Sequence, residues 1–253
     1  MGCGVPGKNG GTKGCKQKGL MMANEMEKQN AAAAAMEFVE DGMTIGLGTG
    51  STAKYFVEYL AEEVADGLVV RCIETSEQTR RLAESLGVPL IPFEQVERIH
   101  LTVDGADEVD EHGFLIKGGG AALLREKIIA NASDHMVVIA DPSKQVERLG
   151  AFPLPVEVTP FGYTITAKKV YDALCASGID RPRVELRAQP GGKLVVTDGG
   201  NYILDCHCQK IPDAESLAAR LSNVPGVVEH GLFIGIARTV IIGNEAGATV
   251  FEF

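Results

Sequence analysis

Alternation constrains this chain more than any single motif. Between residues 43 and 141 the apolar runs "MTIGLG", "LVVRCIET", "IHLTVDGAD" and "MVVIAD" alternate with stretches of helical period, "STAKYFVEYLAEEVADG", "SEQTRRLAESLG" and "KGGGAALLREKIIANAS". Apolar strands separated by helices build a mostly parallel sheet with helices on both faces, a Rossmann-like α/β architecture. Ligands on such sheets bind beyond the carboxyl ends of the strands. Three stretches fall there, "GTGST" at 48–52, "DGAD" at 104–107 and "ADPSK" at 140–144, and all are expected to face one crevice.

The rhythm changes after Pro153. Strand "PVEVTP", helix "AKKVYDALCASG", strands "RVELR", "KLVVT" and "YILDC", helix "DAESLAARLS" and a further strand resemble a split βαβ, ferredoxin-like α+β unit with one additional strand. The expected division is an α/β domain over 23–154 and 226–253, which carries the catalytic site, and a small α+β domain over 155–225. The closing run "GLFIGIARTVIIGNEAG" has parallel-strand character, which returns the chain to the first sheet. Residues 1–22, opening with a glycine- and lysine-rich run without acids or hydrophobic period, read as a disordered leader or tail, so the first helix is expected from about Ala23. Pro6 stands where an N-myristoylation signal has Ser or Thr.

A chain of 253 residues with 45% hydrophobic content can supply a core to each unit, and its net charge of -10 lacks the basic footprint of a nucleic-acid binder. No apolar run approaches the roughly twenty residues of a membrane span, so a cytoplasmic protein without membrane or nucleic-acid partners is expected. The six cysteines are scattered, which predicts free thiols. Cys206 and Cys208 share a strand face opposite His207, a poor arrangement for zinc, and no metal is expected.

"GLGTGSTA" lies between a strand and a helix, where free N–H groups and the helix dipole favour an anion, and Ser51 and Thr52 add hydroxyl donors. Gly46 and Gly48 fit the dinucleotide fingerprint, but Ser51 replaces its third glycine, while Glu74 imitates its ribose acid. A monophosphate site is favoured; a nucleotide site and a glycine turn that serves only packing stay open. "DGADEVDEHG" is open in the same way to a solvated turn, a cation site or a group that handles protons. Asp104, Asp107 and Asp110 do not give the spacing of an EF-hand loop. Asp104 and Asp107 occur where an apolar strand ends, whereas Glu108, Asp110 and Glu111 lie further out and are expected to be solvated.

Glu126 has Ala122, Leu123, Ile129 and Ala130 as its helical neighbours, so it points from an apolar stripe while Arg125 and Lys127 project elsewhere. Lost solvation raises a carboxyl pKa toward the range of a general base. The alternative is a glutamate paired with a basic side chain from another element. Lys117 precedes three glycines whose N–H groups suit an oxyanion, and its ammonium suits a developing enolate. Lys144 is either a phosphate cation or solvated, and Lys28 is a weaker candidate of the same kind.

Taken in order and at these spacings, "GLGTGSTA", "TVDGADEVD", "KGGGAALLREKIIA", "ADPSKQV", "VTDGGNYILDC" and "PGVVEHGLF" resemble ribose-5-phosphate isomerase of the A type, from about Met26 onward. The resemblance implies interconversion of D-ribose 5-phosphate and D-ribulose 5-phosphate in the non-oxidative branch of the pentose phosphate pathway. It implies no metal or other cofactor, a small-molecule sugar phosphate as substrate, and a homo-oligomer that is usually a homodimer. By the same resemblance Glu126 is the proton acceptor, with Asp104, Asp107 and Lys117 at the reacting end. Substrate binding is carried over to Thr49, Gly50, Ser51, Thr52 and Lys144, to Asp104, Gly105, Ala106 and Asp107, and to Lys117, Gly118, Gly119 and Gly120. Two rival classes, a sugar-phosphate sensor and a nicotinamide dehydrogenase, are separated from it by ketose formation and by hydride transfer with added NAD(P). Turnover is expected to be indifferent to EDTA; a rate abolished by the chelator and restored by a divalent ion would return the metal reading.

Overall fold

The apolar runs become strands of one large sheet. The computed structural model describes Met1 and residues 12–253, the side chains of 12–22 excepted. Its elements begin with α1 (Thr12–Ala35), β1 (Thr44–Leu47), α2 (Ser51–Ala65), β2 (Arg71–Glu74), α3 (Glu77–Leu86) and β3 (Ile99–Gly105). The hairpin β4 (Glu108–Val109) and β5 (Leu115–Ile116) precedes α4 (Leu123–Asn131) and β6 (Ser133–Ala140). Then come β7 (Leu154–Val158), α5 (Tyr163–Ala176), β8 (Arg183–Leu186), β9 (Tyr202–His207), α6 (Ala214–Ser222) and β10 (Val227–His230). The chain closes with β11 (Leu232–Phe233), β12 (Thr239–Asn244) and β13 (Gly247–Glu252).

The large sheet is ordered β13-β12-β6-β3-β1-β2 and is parallel except where β13 pairs antiparallel with β12. Both of its faces are covered. Ile45, Leu47, Leu101, Val103, Val137 and Ile139 pack with Phe56 and Leu60 of α2 and Ala31 and Ala35 of α1. Alternate residues Met136, Val138, Val240 and Ile242 pack the opposite way with Leu115 and Phe233, and Ile73 and Ile99 meet Ile129 of α4. Burial on both faces is why these strands read as continuous apolar runs. Strand order reverses at β1, with β2 on one side and β3 on the other, so the ligand crevice of this fold class opens at the carboxyl ends of β1 and β3.

A second, antiparallel sheet is ordered β10-β7-β9-β8 and carries α5 and α6, the βαββαβ pattern of a ferredoxin-like unit. Val170 and Leu174 of α5 and Leu217 and Leu221 of α6 pack on Val156, Val158, Leu204 and Cys206. A third sheet, β11-β5-β4, joins the chain leaving the small sheet to the β4–β5 hairpin.

Three boundaries differ from expectation. The first helix starts at Thr12, inside the segment read as a leader, because a formed helix extends at a gain of one hydrogen bond per residue; residues 2–11 of that reading lie outside the described residues. The small sheet runs past Pro225, since β10 pairs with β7 through His230 and Val156. The additional strand at Lys193–Thr197 is reduced to isolated bridges between Ala188 and Leu194 and between Val196 and Tyr202. With Val196 exposed, burial on one face does not fix a register there.

Helix α1 lies so close to β12 that a Cβ on Gly243 would stand 1.8 Å from the Glu27 carbonyl oxygen and 2.8 Å from the Ala31 nitrogen. Gly243→Ala is therefore expected to lower the unfolding free energy by about 1–3 kcal/mol. Urea titration with an unchanged midpoint and slope would refute that contact.

Candidate active site

At the strand-order reversal, β1 and β3 continue their pairing into the loops. The Gly48 N–H donates to the Val103 carbonyl at 2.9 Å, and the Thr49 N–H then donates to Asp104 Oδ1 at 3.0 Å. A Cβ on Gly48 would stand 2.2 Å from that same oxygen, so only glycine lets the loop lie against Asp104. The Gly105 N–H donates to Oδ1 as well, at 2.7 Å. Thr49 is anchored in turn by its hydroxyl, 2.7 Å from those of Thr75 and Ser76 and 3.0 Å from that of Thr79. Ser76 caps α3 by accepting from the Thr79 N–H, so the hydroxyl group of four residues joins the glycine loop to the next helix.

Lys117 enters from the third sheet. Its N–H donates to the Gly231 carbonyl at 2.9 Å, and its ammonium donates to the Gly105 carbonyl at 2.5 Å. The ammonium lies 2.9 Å from Asp104 Oδ2, 3.5 Å from Glu126 Oε2 and 5.5 Å from the centroid of the Phe233 ring. Asp104 is 0%, Lys117 2% and Glu126 3% exposed, so these charges face each other almost wholly shielded from bulk solvent. Neither Asp104 Oδ2 nor Glu126 Oε2 receives a well-directed hydrogen bond, and their hold on Lys117 is mainly Coulombic.

Burial pushes the Glu126 carboxyl up to about 8; Lys117 opposes the shift, and Asp104 and Asp107 reinforce it. Asp104 is also raised by burial, against the pull of Lys117 and of its two backbone donors. Lys117 is raised although burial alone would lower it, because Asp104 and Glu126 favour its charged form. Glu126 owes its position to the apolar stripe of α4, where Leu123, Ile129 and Ala130 are buried beside it. Between Lys117 and α4 the glycine turn needs φ +108° at Gly118, and the Gly119 N–H donates to Asp107 Oδ2 at 2.7 Å.

One pocket is lined by residues 49–52, 105–107 and 117–120 together with Glu126 and Lys144. These are the residues singled out from the sequence, apart from Asp104, which lies beneath the lining and meets it through Lys117 and Thr49. Lys28 is elsewhere, paired with Glu25 at 3.3 Å, and Glu74 pairs with Arg80 beside a different groove. Glu108 departs from the expectation of a solvated acid. It is 3% exposed and accepts from the Gly150 N–H at 2.6 Å and the Phe152 N–H at 2.5 Å, so it anchors a loop. The supporting hydroxyls of Thr75, Ser76 and Thr79 and the Phe233 ring were not singled out; the capping pattern "TSEQT" after β2 is the signal that could have found the hydroxyls.

A carboxyl whose proton comes off near pH 8, facing an ammonium and a glycine turn on a Rossmann-like scaffold, has the chemistry that general acid–base catalysis requires. Residues 71–247 match the family model of ribose 5-phosphate isomerase A (phosphoriboisomerase A). The chain is 56% identical over 227 residues to ribose-5-phosphate isomerase A of Maricaulis maris, a match covering 89% of this chain and 97% of that relative. Ribose 5-phosphate isomerase A from Methanocaldococcus jannaschii superposes with a TM-score of 0.83 at 37% identity, covering 91% of this chain and 100% of that one. A D-ribose-5-phosphate isomerase solved in complex with phospho-erythronic acid gives a TM-score of 0.84 at 38% identity, covering 91% and 99%. The chain belongs to the ribose 5-phosphate isomerase A family and is an isomerase.

An unfolded glutamate releases its proton near 4.5, whereas folded Glu126 keeps it to about 8. The folded state thus binds the extra proton between those values, and the stability it contributes is complete below the lower one and lost as pH rises through the upper one. Glu126→Gln removes this dependence. The unfolding free energy of the variant minus that of the wild type is expected to grow from about pH 5 to about pH 8. Urea titrations that give a difference independent of pH would contradict a protonated, buried Glu126.

Proposed function

We propose that this isomerase interconverts D-ribose 5-phosphate and D-ribulose 5-phosphate by moving one proton between C2 and C1 on Glu126. The observation that carries the reading is the burial of Glu126 3.5 Å from the Lys117 ammonium, with its pKa raised to about 8. In the open-chain aldose the Glu126 carboxylate takes the C2 proton; the C–H electron pair forms the C1–C2 double bond and the carbonyl electrons pass to O1. Lys117, itself buried, and the N–H groups of the glycine turn stabilise that enediolate oxygen, help that is stronger beside buried charges than in open water. O1 gains a proton, O2 loses one, and Glu126 returns its proton to C1 to give the ketose. Asp104 and Asp107 serve the hydroxyl protons, and Asp104 assists the opening of the sugar ring.

The other end of the substrate carries a dianionic phosphate. Residues Thr49 to Thr52 form the N-terminal approach to α2, where unpaired N–H groups and the helix dipole favour an anion, and Lys144 lines the same pocket. The solved relative bound to phospho-erythronic acid supports a phosphorylated sugar as the substrate class, since that ligand joins a phosphate to a carboxyl group, the charge pattern of an enediolate phosphate. The proton chemistry needs no cofactor. Work in the cytoplasm, as a homodimer in the non-oxidative branch of the pentose phosphate pathway, completes the reading and rests on family membership.

Purified protein incubated with ribose 5-phosphate is expected to form ketose, and its failure to do so would reject the function. Glu126→Gln is expected to keep the fold and to lower kcat by about 10²–10⁴, the usual weight of general-base catalysis. Turnover near that of the wild type would remove Glu126 from the role.

A further inference from the structure

The small sheet reaches the glycine turn through Arg187, the residue after β8. Its guanidinium grips the Asp205 carboxylate of β9 in two prongs, with Nε 2.9 Å from Oδ2 and Nη2 2.5 Å from Oδ1. The remaining nitrogen, Nη1, donates to the Gly118 carbonyl at 2.7 Å and to the Gly119 carbonyl at 3.1 Å. Arg187 and Asp205 side chains are 13% and 21% exposed, so the pair is largely shielded. A planar trans peptide points its carbonyl and the following N–H in opposite directions. Holding the Gly118 carbonyl therefore turns the Gly119 N–H toward Asp107 Oδ2, which accepts it at 2.7 Å. Holding the Gly119 carbonyl turns the Gly120 N–H away from Arg187, and Gly120 lines the pocket. The Gly118 carbonyl is also held inside the turn, where it accepts from the Ala121 N–H at 3.0 Å, but consecutive glycines have no side chains to fix the next peptide, and Arg187 restrains the Gly119 carbonyl from outside.

We propose that Arg187, braced by Asp205, is a positioning residue for the isomerisation: it sets the glycine-turn peptides so that Asp107 and the Gly120 N–H meet the reacting end of the substrate. The inference rests on the isomerase reading above. The role demands arginine, because a planar fork can engage a carboxylate with one edge and two carbonyls with another, whereas a lysine ammonium is a single point of contact.

The test is steady-state kinetics of Arg187→Ala and Arg187→Lys with ribose 5-phosphate, alongside thermal midpoints. Both variants are expected to lose kcat on the order of ten- to a hundredfold, with KM within about threefold, because misplacement of reacting groups and not loss of phosphate contacts is at fault. Millimolar guanidinium is expected to restore part of kcat to Arg187→Ala, and ammonium ion is not. A folded Arg187→Ala with wild-type kcat overturns the proposal, as does a kcat loss that guanidinium leaves untouched and that accompanies a lowered thermal midpoint. If Arg187→Ala does not fold, Arg187→Lys decides by the split between kcat and KM. An inactive wild type would instead reject the isomerase reading itself.

Discussion

One ammonium faces two carboxylates out of reach of water, and the rest of the structure is arranged to permit it. Lys117 lies 2.9 Å from Asp104 and 3.5 Å from Glu126. A single cation cannot neutralise both acids in a medium of low polarity, so the cluster is least costly when one of them carries a proton. Asp104 has the nearer contact and two backbone donors; Glu126 has neither. The asymmetry favours charge on Asp104 and the exchangeable proton on Glu126. Two acids with different surroundings thus take different roles, the usual way in which one site comes to hold both a fixed charge and a titrating base.

No single element supplies this cluster. The strand-order reversal brings Thr49 against Asp104, the β11–β5 pairing delivers Lys117 and the Phe233 ring, and α4 carries Glu126. Each comes from hydrogen-bonded secondary structure or from the first two residues beyond it, which holds side chains more closely than a long loop would. Glu108 has an analogous structural use. Accepting two N–H groups from Gly150 and Phe152, it fixes the loop after Lys144 to the β4–β5 hairpin that precedes Lys117.

Period and local spacing carried much of this in the sequence. The apolar runs and their turns placed the parallel strands, and the stripe around Glu126 identified a carboxylate that the structure buries. Position at the end of an apolar strand separated Asp104 from the acids that follow it. Glu108 was misread because its partners lie more than forty residues along the chain, with separations of 42 and 44, and nothing near it in sequence announces them. Arg187 was passed over for the same reason, its carbonyl partners being 69 and 68 residues away. The stretch Lys193–Thr197 has strand composition, but composition cannot tell a paired strand from an edge with one face in water.

The run "REK" sets Glu126 between two cations, which by formal charge should hold its pKa down. Neither reaches it. Adjacent helical residues project about 100° apart, and each flanking cation finds a carboxylate of its own. Arg125 lies 3.1 Å from Glu77, while Lys127 lies 2.7 Å from Glu229 and donates to the His230 carbonyl at 2.5 Å. The buried Phe233 ring borders both ammonium groups, its centroid 4.9 Å from Lys127 and 5.5 Å from Lys117, and keeps water out of the space beside them. Had Arg125 or Lys127 closed on Glu126, the acid would stay ionised well below neutral pH and would be a weak base. Segregating the flanking charges leaves Lys117 as the cation that acts on Glu126, and at 3.5 Å it offsets only part of the cost of burial. The basicity that proton abstraction requires is therefore a product of where the neighbours of Glu126 are tied down, as much as of the carboxyl group itself.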